Sequence, residues 1–446
     1  MKKLIETIKN IFKIEELRKR ILYTLGLVLI YRFGSFVVIP GINPMELKAM
    51  SDQVAGNGLL GLLDIFSGGA FSNASIFALG IMPYISASIV IQLLGIVLPY
   101  FQKLQKEGES GRRKLNQWTR YLTIVVLLLQ APAYLTNLHM QLPDAAFVLG
   151  RNSFLFTVSA TVVLIAGTMF VMWLGEKITD KGLGNGVSLI IMVGIVARLP
   201  RALSGELIKR FTESTGGLVM LVAELVLLFL VFMATIALVQ AVRKIPVQYA
   251  KRIVGNKQYG GVRQYIPLKI NAAGVMPIIF AQAIMMLPMF LQNVTWLQDV
   301  GWIRGMFTTL SNYMGFWYNL IFALMVIAFT YFYTAITVNP VMMAEDMKRN
   351  GGFIPGIKPG KKTSEYIDII MTRITLPGSI FIAAVAILPA FATKLGIEHQ
   401  FALFYGGTSL LILVGVILDT LKQIESYLLL RHYDGLMKTG RIKGRS

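Results

Sequence analysis

Ten long, nearly uncharged stretches set the pattern of this chain, in place of the short alternating runs of a soluble domain. They fall at about 21–39, 75–98, 117–137, 153–174, 185–199, 217–241, 271–292, 316–338, 373–392 and 401–421. About twenty apolar residues in a helix span a hydrocarbon core of roughly 30 Å, so the pattern predicts ten transmembrane helices with both termini on one side. The fifth stretch is short and follows Gly182-Leu183-Gly184-Asn185-Gly186, which predicts a helix bounded by irregular backbone inside the protein. The second carries Ser75, Ser86, Ser88 and Gln92, groups better suited to a bundle interior or a path than to lipid.

Composition agrees: of 446 residues 55% are hydrophobic and 15% charged, so the class is a polytopic membrane protein. The net charge of +20 is unevenly distributed. Segments on one side of the ten crossings carry 34 Lys and Arg and those on the other carry 8, with Arg32 inside the first span. Positive charge accumulates on the cytoplasmic side, which predicts cytoplasmic termini. Half of the external charge, Arg198, Arg201, Lys209 and Arg210, is expected in one loop. The basic first twenty residues precede an apolar run without a small-residue cleavage site, so that run is expected to be a retained span.

Two echoes lie five spans apart. Gly80-Ile81-Met82-Pro83 in the second span matches Gly274-Val275-Met276-Pro277 in the seventh, and Val187-Ser188-Leu189-Ile190 matches Thr408-Ser409-Leu410-Leu411-Ile412. An odd offset gives halves of opposite topology, as in transport proteins built from inverted repeats. There is no cysteine, and His139, His399 and His432 lie far apart, so neither a thiolate nor a histidine metal site is expected. No phosphate-cradling loop, H-E-x-x-H or G-x-S-x-G occurs, so the chain is not expected to be an enzyme. Ionisable residues inside spans are few: Arg32, read as a hydrogen-bonded packing residue, and Glu224 and Asp419 near helix ends. That scarcity argues against ion coupling, and the β-branched, proline-bearing helices suit an apolar constriction. Pattern alone leaves a channel, a solute carrier and an assembly scaffold open. The long basic loops, with Arg243-Lys244, Lys251-Arg252 and Lys358 to Lys362, exceed what orientation requires and suit docking of an acidic protein or RNA.

Several motifs together resemble the SecY family, the channel subunits of bacterial protein export. They are FSGGAFSNASIFALGIMPYISASI at 66–89, KEGESGRRK at 106–114, GTMFVMWLGE at 167–176, GLGNG at 182–186, YAKR at 249–252, LKINAAGVMP at 268–277, FIPGIKPG at 353–360, TSEYID at 363–368 and FYGGTSLLI at 404–412. The resemblance implies an all-α protein of ten transmembrane helices in two inverted five-helix halves around an hourglass pore. It implies a pore ring of Ile81, Ile85, Val187, Ile191, Ile279 and Ile412, with Val187 smaller than the isoleucine common there. A plug at about 58–72 would include Leu62, Leu63, Ile65, Phe66, Ser67, Gly68 and Gly69, and a lateral gate would involve Ser86, Gln92, Gln130 and Asn271.

The implied divisions are an N-terminal segment (1–20), a first half (21–200), an external loop, sixth helix and basic loop (201–270), the rest of the second half (271–421) with a cytoplasmic loop at 338–373, and a tail (422–446). Implied partners are the membrane subunits SecE and SecG, the motor ATPase SecA, a ribosome with its RNA, signal sequences, unfolded polypeptides and the lipid bilayer. No cofactor is implied. Docking would use Arg243, Lys244, Lys251, Arg252 and Lys358; Lys358 stands where the family commonly has arginine, and it keeps the charge without the planar fork. The implied location is the inner membrane of a bacterium.

Overall fold

The computed structural model describes residues 14–47, 58–148, 153–212, 217–249, 252–254, 257–259, 263–291, 305, 309–310 and 314–439. By internal packing the chain forms two units, Met1–Gly205 with Gly415–Ser446, and Glu206–Val414. Helices overlap all ten predicted stretches. They are α1 (Glu15–Gly34), α3 (Met82–Val97), α5 (Glu109–Gln141), α6 (Phe154–Lys181), α7 (Gly186–Thr212), α8 (Gly217–Gln240), α9 (Met276–Leu291), α10 (Phe316–Thr337), α12 (Lys361–Lys394) and α14 (Gly407–Thr439). Shorter helices are α2 (Gly58–Phe66), α4 (Pro99–Lys106), α11 (Pro340–Arg349) and α13 (His399–Ala402).

Among the described residues, seven helical stretches are long and apolar enough to cross a bilayer, or eight if α3 and α4 count as one broken span. The helices at the first and seventh predicted positions fall outside that group: α1 carries Glu15, Glu16, Arg18, Lys19, Arg20 and Arg32, and α9 is 16 residues long. The class is nonetheless a multi-pass helical membrane protein. On α8 only Leu221, Glu224 and Thr235 are buried, which leaves an apolar outer surface of the kind lipid covers.

Helix limits follow local chemistry. Leu98 precedes Pro99 and is extended, with φ −98 and ψ 124, because the proline ring disfavours helical backbone before it. Pro99 then opens α4 at a bend of 104° from α3. Asn339 caps α11, its side chain accepting from the N–H groups of Val341 at 3.1 Å and Met342 at 3.2 Å, with Pro340 in the first turn. The two echoed motifs adopt the same local structure. Gly80 (φ +56) and Gly274 (φ +66) each sit two residues before a Met-Pro helix start, and α7 and α14 each begin on the glycine preceding their matched residues.

Three expectations are corrected. The second helix starts at Met82 and not near 75, because residues 75–81 form turns tied to the segment after α1: Ile76 N–H donates to Val37 O at 2.9 Å and, just before them, Ala74 O accepts from Ile39 N–H at 2.9 Å. The fifth helix is not short; α7 runs 27 residues through Pro200 and takes in Arg198, Arg201, Lys209 and Arg210, which therefore lie on a helix and not in a loop. The basic loops are partly strands: β1 (Val242–Tyr249), β4 (Arg263–Lys269) and β5 (Gly352–Phe353) form a sheet in the order β4-β1-β5, while β2 (Arg252–Val254) pairs with β3 (Lys257–Tyr259). The sheet buries Ile245, Val247 and Leu268 against Met347, Ile354, Ile367 and Met371 of the second unit.

That unit also holds a buried ion cluster. Arg210, 5% exposed, donates to Glu206 at 2.7 Å, to Glu224, and to the carbonyl of Gly396 at 3.2 Å. Glu206 accepts the Glu398 N–H at 2.6 Å, and the Tyr405 hydroxyl donates to Glu224 O at 2.8 Å. Glu224, expected near water or headgroups, is 3% exposed. Removing one partner leaves an uncompensated buried charge, which costs about 3–5 kcal/mol. Arg210→Met is expected to lower the thermal unfolding midpoint in detergent sharply, and adding Glu206→Gln and Glu224→Gln should recover part of the loss.

Candidate functional site

The predicted plug is a short helix followed by a tight, buried turn. Ile65, Phe66, Ser67, Gly68 and Gly69 are buried and Leu63 is half-buried; the Leu62 side chain lies outside the described residues. Gly68 (φ +66) and Gly69 (φ +94) take left-handed backbone that L side chains rarely adopt. The turn lies directly on α7: a Cβ placed on Gly194 would meet Phe66 O at 2.8 Å and Gly68 N at 3.0 Å. Only glycine at 194 leaves room for that approach.

Polar groups from three helices fix the turn. The Tyr31 hydroxyl of α1 donates to Ser67 O at 3.0 Å, Arg32 of α1 donates to Gly68 O at 2.8 Å, and the Tyr134 hydroxyl of α5 donates to Phe71 O at 2.9 Å. Arg198 of α7 pairs with Asp64 and donates to Ser72 Oγ at 2.6 Å. The role expected of Arg32, hydrogen-bonded packing, matches this contact. Tyr31, Tyr134 and Arg198 were not legible as site residues, and Asp64 and Ser72 fall inside the predicted plug at 58–72 without being singled out. Their one sequence signal is an acid at 64 within an apolar segment, with the arginine that meets it 134 positions away.

The predicted ring residues of the first unit lie on the elements that touch that turn. Ile81, 3% exposed, caps the start of α3, and Ile85, also buried, donates its N–H to Ile81 O at 3.1 Å. Ser67 lies against the residue before Ile81, since a Cβ on Gly80 would stand 3.6 Å from Ser67 Cβ. On α7, Ile191 is buried and Val187 half-buried. Val187 Cγ2 and Ile81 Cδ1 flank Gly175 of α6, at 3.2 and 3.5 Å from where its Cβ would be. In the second unit Ile412 of α14 is buried and Ile279 of α9 half-buried.

Of the predicted gate residues, Ser86 and Gln130 are half-buried, and Gln92 donates to Ser88 Oγ one helical turn earlier at 3.3 Å. Asn271 is 8% exposed and lies in the turn between β4 and α9, not inside a helix as expected. Its Oδ1 has no hydrogen-bond partner among the described residues. Arg243 and Lys244 are exposed on β1, Arg252 belongs to β2, and Lys358 is exposed in the turn between β5 and α12, where its carbonyl accepts from Thr363 Oγ1 at 3.0 Å. Lys251 lies outside the described residues.

This combination, apolar helices with a buried non-helical segment seated among them, defines a polytopic membrane protein with irregular backbone held inside it. The family model for SecY matches residues 75–421. The protein translocase subunit SecY of Halalkalibacterium halodurans is 45% identical over 439 residues, covering 97% of this chain and 99% of that protein. Two solved structures share the fold. One is described by the plug domain of the SecY protein stabilising the closed state of its channel and maintaining a membrane seal (TM-score 0.59, 17% identity, 96% of this chain and 95% of that one). The other is Sec61 in the canine ribosome-channel complex from the endoplasmic reticulum (TM-score 0.54, 14% identity, 96% and 95%). The chain belongs to the SecY family.

The fit between Gly194 and the turn gives a direct test. The chain has no cysteine, so Ala70→Cys, at a fully buried position, is a clean reporter. Its labelling by a water-soluble maleimide should be slow in the parent and at least several-fold faster with Gly194→Val, which forces the turn off α7.

Proposed function

We propose that the chain is the central channel subunit of a protein secretion translocase, passing unfolded polypeptide across the membrane and releasing apolar segments sideways into lipid. The observation that carries this reading is the seating of the glycine turn against α7 and against Gly80, on the elements that bear Val187, Ile191, Ile81 and Ile85. Family membership supports it along the length of the chain, and the SecY family is one of translocase subunits and not of enzymes.

In this reading Ile81, Ile85, Val187, Ile191, Ile279 and Ile412 form the waist. An apolar constriction excludes ions because it cannot replace their hydration shell, yet it accommodates an extended chain of any sequence. Residues 58–72 are the plug. Ser86, Gln92, Gln130 and Asn271 border a lateral opening through which a segment of about twenty apolar residues reaches lipid, where charged residues are disfavoured. The aliphatic seal needs no cofactor, and the drive comes from partners: a SecA-type motor or a translating ribosome on the basic loops, with SecE- and SecG-type subunits in the membrane. The charge asymmetry supports cytoplasmic termini, and membership of the SecY family supports a bacterial inner membrane. The five divisions given by the sequence are the working domains of this reading.

Deleting residues 58–70 from the reconstituted protein should raise resting ion conductance in a planar bilayer several-fold; unchanged conductance would remove the plug from the account. Lys358→Glu should weaken binding of the motor or ribosome and lower export. Its thermal stability should stay within about 0.5 kcal/mol, as is usual for exposed positions. Lys358→Arg should be tolerated, and affinity should fall with salt as the Debye length shrinks from about 10 Å at 0.1 M to 3 Å at 1 M.

A further inference from the structure

The glycine-rich turn at 182–186 offers little to a phosphate, because protein groups already hold its N–H donors. Gly182 N–H donates to Ile178 O at 2.8 Å, Leu183 N–H to Thr24 Oγ1 at 3.0 Å, Gly184 N–H to Gln423 Oε1 at 2.8 Å and Gly186 N–H to Thr179 Oγ1 at 2.8 Å. A loop that cradles an anion keeps such donors free. These glycines answer to close packing instead. A Cβ on Gly182 would collide with Thr24 Oγ1 of α1, one on Gly186 with Gly175 O of α6, and one on Gly184 (φ +75) would stand 3.1 Å from Thr420 Oγ1 of α14.

The side chains that grip the turn come from opposite ends of the sequence. Thr24 is 8% exposed on α1. Thr420, Gln423 and Tyr427 are spaced three and four residues apart, which puts them on one face of α14. Arg20, one turn before Thr24, donates to Gly182 O at 3.4 Å and lies over the Tyr427 ring, 5.1 Å from its centroid. The turn leads straight into α7. Asn185 caps that helix, its carbonyl accepting from Leu189 N–H at 2.9 Å and its Oδ1 from Ser188 N–H at 3.3 Å. Val187 is the second residue of α7, beside Gly175 where Ile81 Cδ1 also lies. Ile191 follows one helical turn later and is 2% exposed.

Resting on the channel reading above, we propose that Gln423 and Thr24 are positioning residues of the waist: by holding the turn at 182–186 they set where Val187 and Ile191 stand along the path of the translocating chain. Each supplies the acceptor for one buried N–H of the turn. Without it that N–H is left unpaired in a packed place, a state the turn relieves only by moving. Gly186 begins α7, so movement of the turn carries Val187 and Ile191 with it. Ile81, at the start of α3, does not hang on the turn.

The test uses the full-length protein with its partners and a secretory polypeptide stalled midway by a folded C-terminal domain. A photo-crosslinking side chain is placed at Ile191 or at Ile81, and the readout is the ratio of adducts at 191 to adducts at 81, each taken per folded channel. Gln423→Leu and Thr24→Val, which remove the acceptors, should each lower the ratio about fivefold, the scale on which an unpaired buried N–H shifts an equilibrium. Gln423→Glu and Thr24→Ser keep an acceptor and should give the parental ratio. Parental ratios in Gln423→Leu and Thr24→Val would overturn the proposal even with a lowered thermal unfolding midpoint, which is all that a merely structural bond predicts. An equal loss in Gln423→Glu and Thr24→Ser would overturn it too, since the effect would not follow the hydrogen bond. If Gln423→Leu does not accumulate, Thr24→Val and Thr24→Ser decide the matter by the same ratios. A parent that gives adducts at neither position removes the channel reading, and the positioning role with it; a parent that gives adducts, with ratios unmoved in the variants, removes the positioning role alone.

Discussion

Non-helical backbone inside a membrane protein must find its hydrogen bonds within the protein, because lipid offers none, and the backbone donors of the segment from Ser67 to Ala78 all do so. Every backbone N–H in it has an acceptor. Most are carbonyls three to five residues earlier, Ile76 reaches back to Val37, and Phe71, Ser72 and Phe77 use Ser67 Oγ, Asp64 Oδ1 and Ser75 Oγ. The carbonyls of Ser67, Gly68 and Phe71 are taken by Tyr31, Arg32 and Tyr134. The buried serines and the two tyrosines follow from this demand. So does the close approach to α7, which needs glycine at 194 and left-handed glycines at 68 and 69.

Self-sufficiency of this kind would suit the plug role proposed for this segment, which seats apolar side chains in a protein interior and yet has to leave it. A turn whose N–H groups are satisfied mostly from within keeps its shape when it parts from its neighbours. The bonds it would lose are those from Tyr31, Arg32, Tyr134 and Arg198, four side chains on three helices. The second buried charge cluster is of another kind. Glu206, Arg210 and Glu224 join α7 and α8 with exposures of 0, 5 and 3%, and Glu398 and Gly396 tie in the segment before α13, so that charge fastens one packed arrangement within its unit. A buried ion network of this kind is costly to break from one side.

The spans were legible because hydrocarbon thickness imposes a length and an apolarity that few other structures need; all ten stretches meet a helix. Their ends were less legible. The second stretch reads as apolar from 75, but Gly80 and the bridge between Val38 and Ser75 hold its first residues in turns, and hydropathy does not register a positive φ. The sheet was readable in principle, since Ile245 and Val247 alternate with exposed Lys244 and Pro246, yet the basic residues around them suggested open loops. Family resemblance pointed to Ile81, Val187 and the glycine turn, and the first unit brings these near one another. The pairing of Asp64 with Arg198 is not legible in the sequence, because a lone charge says nothing of a partner 134 residues away.

In the proposed channel an extended chain passes through the aliphatic waist. A photo-crosslinking side chain at Ile81, Ile191 or Ile412, with a secretory polypeptide stalled midway by a folded C-terminal domain, tests it most directly. Adducts should form at these three buried positions and be absent at outward-facing Leu129 and Val219, which are 74% and 81% exposed. Adducts confined to Leu129 and Val219, with none at the isoleucines, would contradict the account.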